Sequence, residues 1–216
     1  MRMETAGKII KTNEFVLFFL IFSIIIFFGL LNPRFLVLEN IVQYLNSGVV
    51  LGFLTFGLAA TIISGNFDFS IGAMCGFGTV IISQLMVTGL PFAAALLLSM
   101  LIMILFGALN GFLVGTLGIP GLLVTLGTSS LYYGIALVMT GGQAISVMNM
   151  ADYAMLEFFG KSDLGTLPFG MVLLAIVFVI SLLLLNYSSW GRRLILIGSS
   201  GEAARFAGIN HYRPAF

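Results

Sequence analysis

Apolar residues in this chain do not alternate with polar ones; they fill long runs separated by short clusters of turn formers. Runs of about 20 residues, enough for a helix to cross a ~30 Å hydrocarbon layer, extend from Phe15 to Leu31, Val42 to Ile63, Phe69 to Val87, Phe92 to Leu117, Leu122 to Met139 and Leu167 to Leu185. The breaks carry Asn32-Pro33, Gly65-Asn66, Gly89-Leu90-Pro91, Gly118-Ile119-Pro120-Gly121 and Gly141-Gly142, residues that end helices and build turns. Barrel strands would alternate in polarity over about 10 residues, and these runs do not. The pattern predicts an all-α, polytopic membrane helix bundle of about six transmembrane helices. Between Glu39 and Asp152 the only charged side chain is Asp68.

Composition points the same way. Of 216 residues, 60% are hydrophobic and 8% charged, against about 25% charged in soluble domains, and mean hydropathy is +1.15. Too few charges are present to cover a surface in water, so the outer surface faces lipid. Intrinsic disorder needs low hydrophobicity and high net charge, whereas the net charge here is +1. That balance gives no basic footprint for nucleic acid. The single cysteine, Cys75, allows no internal disulfide. Neither a phosphate-binding loop of the Gly-x-x-x-x-Gly-Lys-Ser/Thr type nor a cluster with metal-ligand spacing is present, so no catalytic residue, cofactor or metal site is expected. His211 stands in the polar tail without a carboxylate or nucleophile near it and reads as solvated.

The placement of Lys and Arg orients the spans, because these residues stay on the cytoplasmic side. Arg2, Lys8 and Lys11 precede the first run, and Arg192, Arg193, Arg205 and Arg213 follow the last, leaving Arg34 and Lys161 for the opposite side. An even number of crossings then puts both termini in the cytoplasm. The expected organisation is a cytoplasmic tail over residues 1–14, a helical bundle over 15–185 with an external loop at 140–166, and a cytoplasmic segment over 186–216. The first run could instead be a secretory signal, but it is long for one and Asn32-Pro33-Arg34 follows it rather than small residues. It reads as an uncleaved span.

Helices in lipid associate through close backbone approach at small residues. Gly107, Gly111 and Gly115 share a face, as do Gly72 with Gly76 and Gly48 with Gly52. The plain reading is tight packing within one subunit; a dimer seam is the alternative. Asp68 lies between the second and third runs, after Gly65 and Asn66 break the helix. Its position suits an N-cap accepting from the amides of Ser70 or Ile71. A charge at bilayer depth also usually faces a cavity or a partner, and broken helices at that depth line pathways. The two roles can coexist.

The segment Gly65-Asn66-Phe67-Asp68-Phe69-Ser70-Ile71-Gly72 resembles the glycine-x-isoleucine-aspartate-leucine-serine-valine-glycine signature of permease subunits of ribose- and galactose-type ABC importers. The likeness continues through Leu109-Asn110-Gly111, the run Pro120 to Thr128, Tyr133-Gly134, Thr140-Gly141-Gly142, Gly191-Arg192 and Gly198 to Asn210. Two departures stand out: Gly121 replaces a usual aromatic residue, and Tyr133 a common arginine. The resemblance also implies further spans after the cytoplasmic loop, so the sequence reads as a truncated permease, whether a fragment, a frame-interrupted gene product or a partial chain.

What the resemblance implies is an inner-membrane importer subunit for a monosaccharide or similar small polar solute. Its partners would be a separate ATP-binding subunit, an external solute-binding protein meeting the 140–166 loop, and a second permease copy or paralogue. An uncharged solute calls for amide and hydroxyl groups along the path, which nominates Asn66, Ser70, Asn110, Thr125, Thr128 and Ser129, with Gly65 and Asp68 at the helix break. Ser199-Ser200-Gly201-Glu202 has the pattern of a capping box that would start a short helix ending at Gly208. From sequence alone this is a surface helix. The resemblance makes it a coupling helix, with Glu202, Ala203, Ala204, Arg205, Phe206 and Gly208 docking into the ATP-binding subunit. Two other readings remain open: an ion- or proton-coupled secondary transporter using Asp68, and a non-functional remnant.

Overall fold

Each apolar run becomes helical because a chain surrounded by hydrocarbon must satisfy its backbone polar groups internally. The computed structural model describes residues 2–147, 153–161, 163–164 and 167–199. The chain divides into two compact units, Met1–Gly48 and Val49–Phe216.

In the first unit, α1 runs over Arg2–Leu31 and α2 over Leu38–Ser47, joined by a 3-10 turn at Pro33–Leu36. Asn32 ends α1 and caps the turn, its side chain accepting from the Arg34 amide at 3.1 Å, while Pro33 occupies a first-turn position where no N–H is needed. Phe35 then sits between Phe28 and Tyr44, with ring centroids 5.7 Å and 5.4 Å away. Gly29 provides the space against which Leu36 lies.

The second unit contains α3 (Val49–Ile63), α4 (Ile71–Val87), α5 (Phe92–Gly115), α6 (Gly121–Thr140), α7 (Tyr153–Lys161), a two-residue antiparallel pair β1 (Asp163–Leu164) and β2 (Leu167–Pro168), α8 (Phe169–Tyr187) and α9 (Ser189–Ser199). Helix α4 packs against both α5 and α6. Its Phe77 stacks on Tyr132 of α6, and Phe106 of α5 meets the edge of the same tyrosine at 5.1 Å. Tyr132 is fully buried. A second cluster of Met86, Phe92 and Ala95 holds the other end of α4 to α5. Helix α3 lies against α8 through Gly52, which leaves room for Leu174, and through Phe56 and Phe178 at 5.7 Å. No residue of α8 is buried, as expected of a helix whose apolar sides face lipid.

The apolar runs all coincide with helices, with instructive differences. Three of the helices, α5, α6 and α8, are long and apolar enough to cross a membrane alone, and α2 with α3 qualifies when taken together. Phe15–Leu31 and Ile71–Val87 are shorter apolar helices. The second run begins earlier than predicted, at Leu38, and is interrupted at Gly48. Helices α7 and α9 occupy stretches for which no helix was predicted. The expected intramolecular role of the Gly72 and Gly76 face also fails: among the described residues, a Cβ at either position would meet nothing within 4 Å. They border a groove between α4 and α6 instead.

Candidate functional site

Helix α3 ends on glycine chemistry. Gly65 takes a left-handed conformation at φ +84, its amide donating to the Ile62 carbonyl and that of Asn66 to the Thr61 carbonyl, both at 2.9 Å. This pair of bonds, six-to-one and five-to-two, is a Schellman motif. The chain then runs without regular structure to Ser70, the residue before α4.

Asp68 was expected to accept from the amide of Ser70 or Ile71 at the start of α4, and it accepts from that of Ser70. The helix starts at Ile71, with Ser70 as its N-cap residue. The carboxylate oxygen Oδ1 of Asp68 accepts from the Ser70 amide at 2.7 Å and from the Ser70 hydroxyl at 2.6 Å. It therefore forms an Asx turn just ahead of the helix, and the Ser70 hydroxyl, already donating to it, is turned away from capping.

Ser70 is fully buried and joins this turn to α5, since the Asn110 amide nitrogen donates to its hydroxyl at 3.0 Å. The Tyr132 hydroxyl makes a long contact of 3.5 Å with the Asn110 side-chain oxygen. Asp68, Ser70, Asn110 and Tyr132 thus form one polar chain through the bundle. Thr125 provides a second tie: its hydroxyl accepts from the Phe69 amide at 3.1 Å and donates to the Gly121 carbonyl at 2.8 Å. No buried side-chain nitrogen or oxygen among the described residues lacks a partner, as a polar network in apolar surroundings requires.

Beside this network lies a cavity of roughly 230 Å³. Asn66, Asp68, Asn110 and Thr125 line it, together with Trp190 and Leu194 of α9. Gly107 and Gly111 of α5 also face it, so this small-residue face makes room. Gly121 works similarly: it is buried, and a Cβ there would sit 3.4 Å from the Asn66 side-chain oxygen. An aromatic residue at that position would have to displace the helix break.

The nominated residues therefore separate. Asn66, Asp68, Asn110 and Thr125 line the cavity. Ser70 lies behind it and Gly65 sets the break. Thr128 is buried with its hydroxyl on the Val124 carbonyl at 3.0 Å, and Ser129 is half-buried on α6 away from the lining. The coupling residues Glu202, Ala203, Ala204, Arg205, Phe206 and Gly208 lie outside the described residues. Ser199, expected to start that helix, is instead the last residue of α9, its hydroxyl donating to the Leu196 carbonyl at 3.1 Å. A helix already running into Ser199 leaves it in helical geometry, which an N-cap does not have.

Sequence reasoning missed Tyr132 and Trp190. Tyr132 was within reach, because Gly121, Val124, Thr125, Thr128 and Tyr132 are the buried positions of α6 and follow helical periodicity. Trp190 lies outside the motifs read from the sequence. It lines the cavity because α9 folds back along α3, a contact that requires Gly198: a Cβ there would collide with the Ile63 carbonyl.

The chain matches, over residues 40–214, the family described as branched-chain amino acid transport system, permease component. It is 31% identical over 204 residues to the autoinducer 2 import system permease protein LsrD of Photorhabdus laumondii, covering 91% of this chain and 60% of that relative. For LsrD of Klebsiella pneumoniae the values are 32% over 204 residues, with 93% and 61% covered. The ribose import permease protein RbsC of Bacillus subtilis is 29% identical over 189 residues, with 88% and 58% covered. The chain thus spans about 60% of the length of these relatives. No solved structure gives a significant match. Since the match takes in the helix break, the polar network and α9, the chain belongs to the family of branched-chain amino acid transport system permease components.

Proposed function

We propose that this chain is the membrane-spanning permease subunit of an ATP-binding cassette importer that carries a monosaccharide or similar small neutral solute into a bacterial cytoplasm. The observation that carries this reading is the cavity at the α3–α4 break, whose polar lining is amide and hydroxyl groups with a single carboxylate. Relatives named for ribose and autoinducer 2 import support the importer class.

The path would work by alternating access, with Asn66, Asp68, Asn110 and Thr125 along it. Ser70, Thr128 and Ser129 would support these from behind and from α6. ATP would be hydrolysed on a separate subunit, docked at residues 202–208, while an external solute-binding protein would meet residues 140–166 and a second permease copy would complete the translocator. The meeting of the end of α3, the end of α5, the start of α6 and α9 around one cavity supports the six-crossing arrangement, which assigns all four to the cytoplasmic side.

The test is uptake of radiolabelled ribose by cells carrying the complete importer. Uptake should follow cellular ATP and survive a protonophore when ATP is held constant. Glu202→Ala with Arg205→Ala should leave ATP turnover running without uptake. Uptake that collapses with the proton gradient at constant ATP would replace this reading with proton coupling through Asp68.

A further inference from the structure

The two oxygens of Asp68 have different surroundings. Oδ1 is held by the amide and hydroxyl of Ser70, and Ser70 is held in turn by Asn110. The second oxygen, Oδ2, takes no hydrogen bond from any described residue, and Asp68 lines the cavity. A carboxylate can only accept hydrogen bonds, so an occupant must bring the donors. The anchored Oδ1 fixes where Oδ2 points, so little ordering is left for the binding step.

The chemistry of the walls narrows the choice. No described Lys or Arg lines the cavity, so among the described residues nothing offsets the repulsion between Asp68 and an anionic solute. No group of three or more His, Cys, Asp or Glu among the described residues could hold a metal ion. Asn66 adds a neutral amide to the lining beside Asp68, the Asn110 and Thr125 side chains being engaged with Ser70 and with Phe69 and Gly121, and Trp190 and Leu194 add apolar surface. A sugar ring has the same mixed character, with hydroxyls at its edge and C–H groups on its face. The volume of roughly 230 Å³ lies below the ~300–1,000 Å³ of drug-sized pockets, which favours a small solute.

We propose that this cavity is a subsite for a neutral vicinal diol, in which Oδ2 of Asp68 accepts from paired solute hydroxyls and the Trp190 indole forms the wall for the ring face. The proposal rests on the importer reading above and adds the recognition chemistry: neutral polyols enter, and their phosphorylated counterparts do not.

Trp190 is the only tryptophan in the chain, so its emission reports on this cavity alone. The detergent-solubilised full chain is titrated with D-ribose, D-ribose 5-phosphate and choline into the millimolar range. D-ribose should change the emission saturably, and the other two should not. Asp68→Asn, checked for helical content by circular dichroism, should raise the half-saturating ribose concentration about tenfold or more, the equivalent of one charge-assisted hydrogen bond. The proposal is overturned by no saturable response to ribose, by an equal response to the 5-phosphate, by a response to choline in place of ribose, or by unchanged ribose affinity in a folded Asp68→Asn. If that variant does not fold, the comparison of ribose with its 5-phosphate on the unaltered chain decides. A failed titration alongside intact ATP-driven uptake rejects the subsite alone, whereas uptake that depends on the proton gradient rejects the importer reading itself.

Discussion

The Asn110 amide reaches the Ser70 hydroxyl at 3.0 Å, tying α5 to the first residue of the α4 cap across 40 positions of sequence. Removing either partner leaves the other short of a hydrogen bond in a buried site. Asn110→Ala should destabilise the detergent-solubilised protein by about 1–3 kcal/mol. In a double-mutant cycle with Ser70→Ala, the pair should show a coupling near ~0.6 kcal/mol, the average for hydrogen bonds between membrane helices. Thermal or SDS unfolding measures both quantities, and strict additivity of the two substitutions would contradict the bond.

Thr125 holds the irregular segment by accepting from the Phe69 amide at 3.1 Å. Thr125→Val keeps the shape and removes the acceptor, so the cost should be about 1–3 kcal/mol. Thr125→Ser keeps the hydroxyl and should recover most of that loss. Equal unfolding midpoints for the two variants would refute the tie.

The approach of α9 to α3 depends on Gly198. Its missing side chain would collide with backbone, the Ile63 carbonyl, rather than with a movable side chain. Gly198→Ala should therefore cost about 1–3 kcal/mol as overpacking does, and should shift Trp190 emission as α9 moves away. Gly76→Ala, which meets nothing within 4 Å, should stay within about 0.5 kcal/mol of the parent. A silent Gly198→Ala would mean that α9 does not rest on α3.

Gly52 poses a softer version of the same problem, because a Cβ there would come 2.7 Å from Leu174 Cδ2. Gly52→Ala should destabilise by about 1–3 kcal/mol. Combining it with Leu174→Ala should cost less than the sum of the two single changes, since each relieves the other. Unfolding of the four proteins under one set of conditions tests this.

Much of the fold was legible because a lipid environment leaves few options. Long apolar runs must be helical, and Asn32-Pro33, Gly65-Asn66 and Gly141-Gly142 end them for reasons that act within a few residues. Gly65 shows this well: the left-handed turn it makes needs only its own missing side chain. What escaped were α7 and α9, which are short and mixed in polarity, and the interruption at Gly48. The capping-box pattern at Ser199 misled because it is local, whereas the preceding helix already claims that serine.

The candidate site divides along the same line. Asn66, Asp68, Asn110 and Thr125 could be nominated from residue type and motif, since polar groups are scarce enough here to be noticed. Their actual partners could not, because each bond spans elements far apart in sequence: Asn110 with Ser70, Thr125 with Phe69. Nor could Trp190 be assigned to the cavity before α9 was seen to fold back on α3.

By itself the sequence determined the solvent, the helices and the place where the helix breaks, because transfer from water to lipid and the preferences of glycine and proline act residue by residue. Only the tertiary structure decided which polar groups are consumed holding helices together and which still face open space. Oδ1 of Asp68 belongs to the first set and Oδ2 to the second. That distinction depends on the positions of α5, α6 and α9 together, and close packing between distant segments is not written in any one of them.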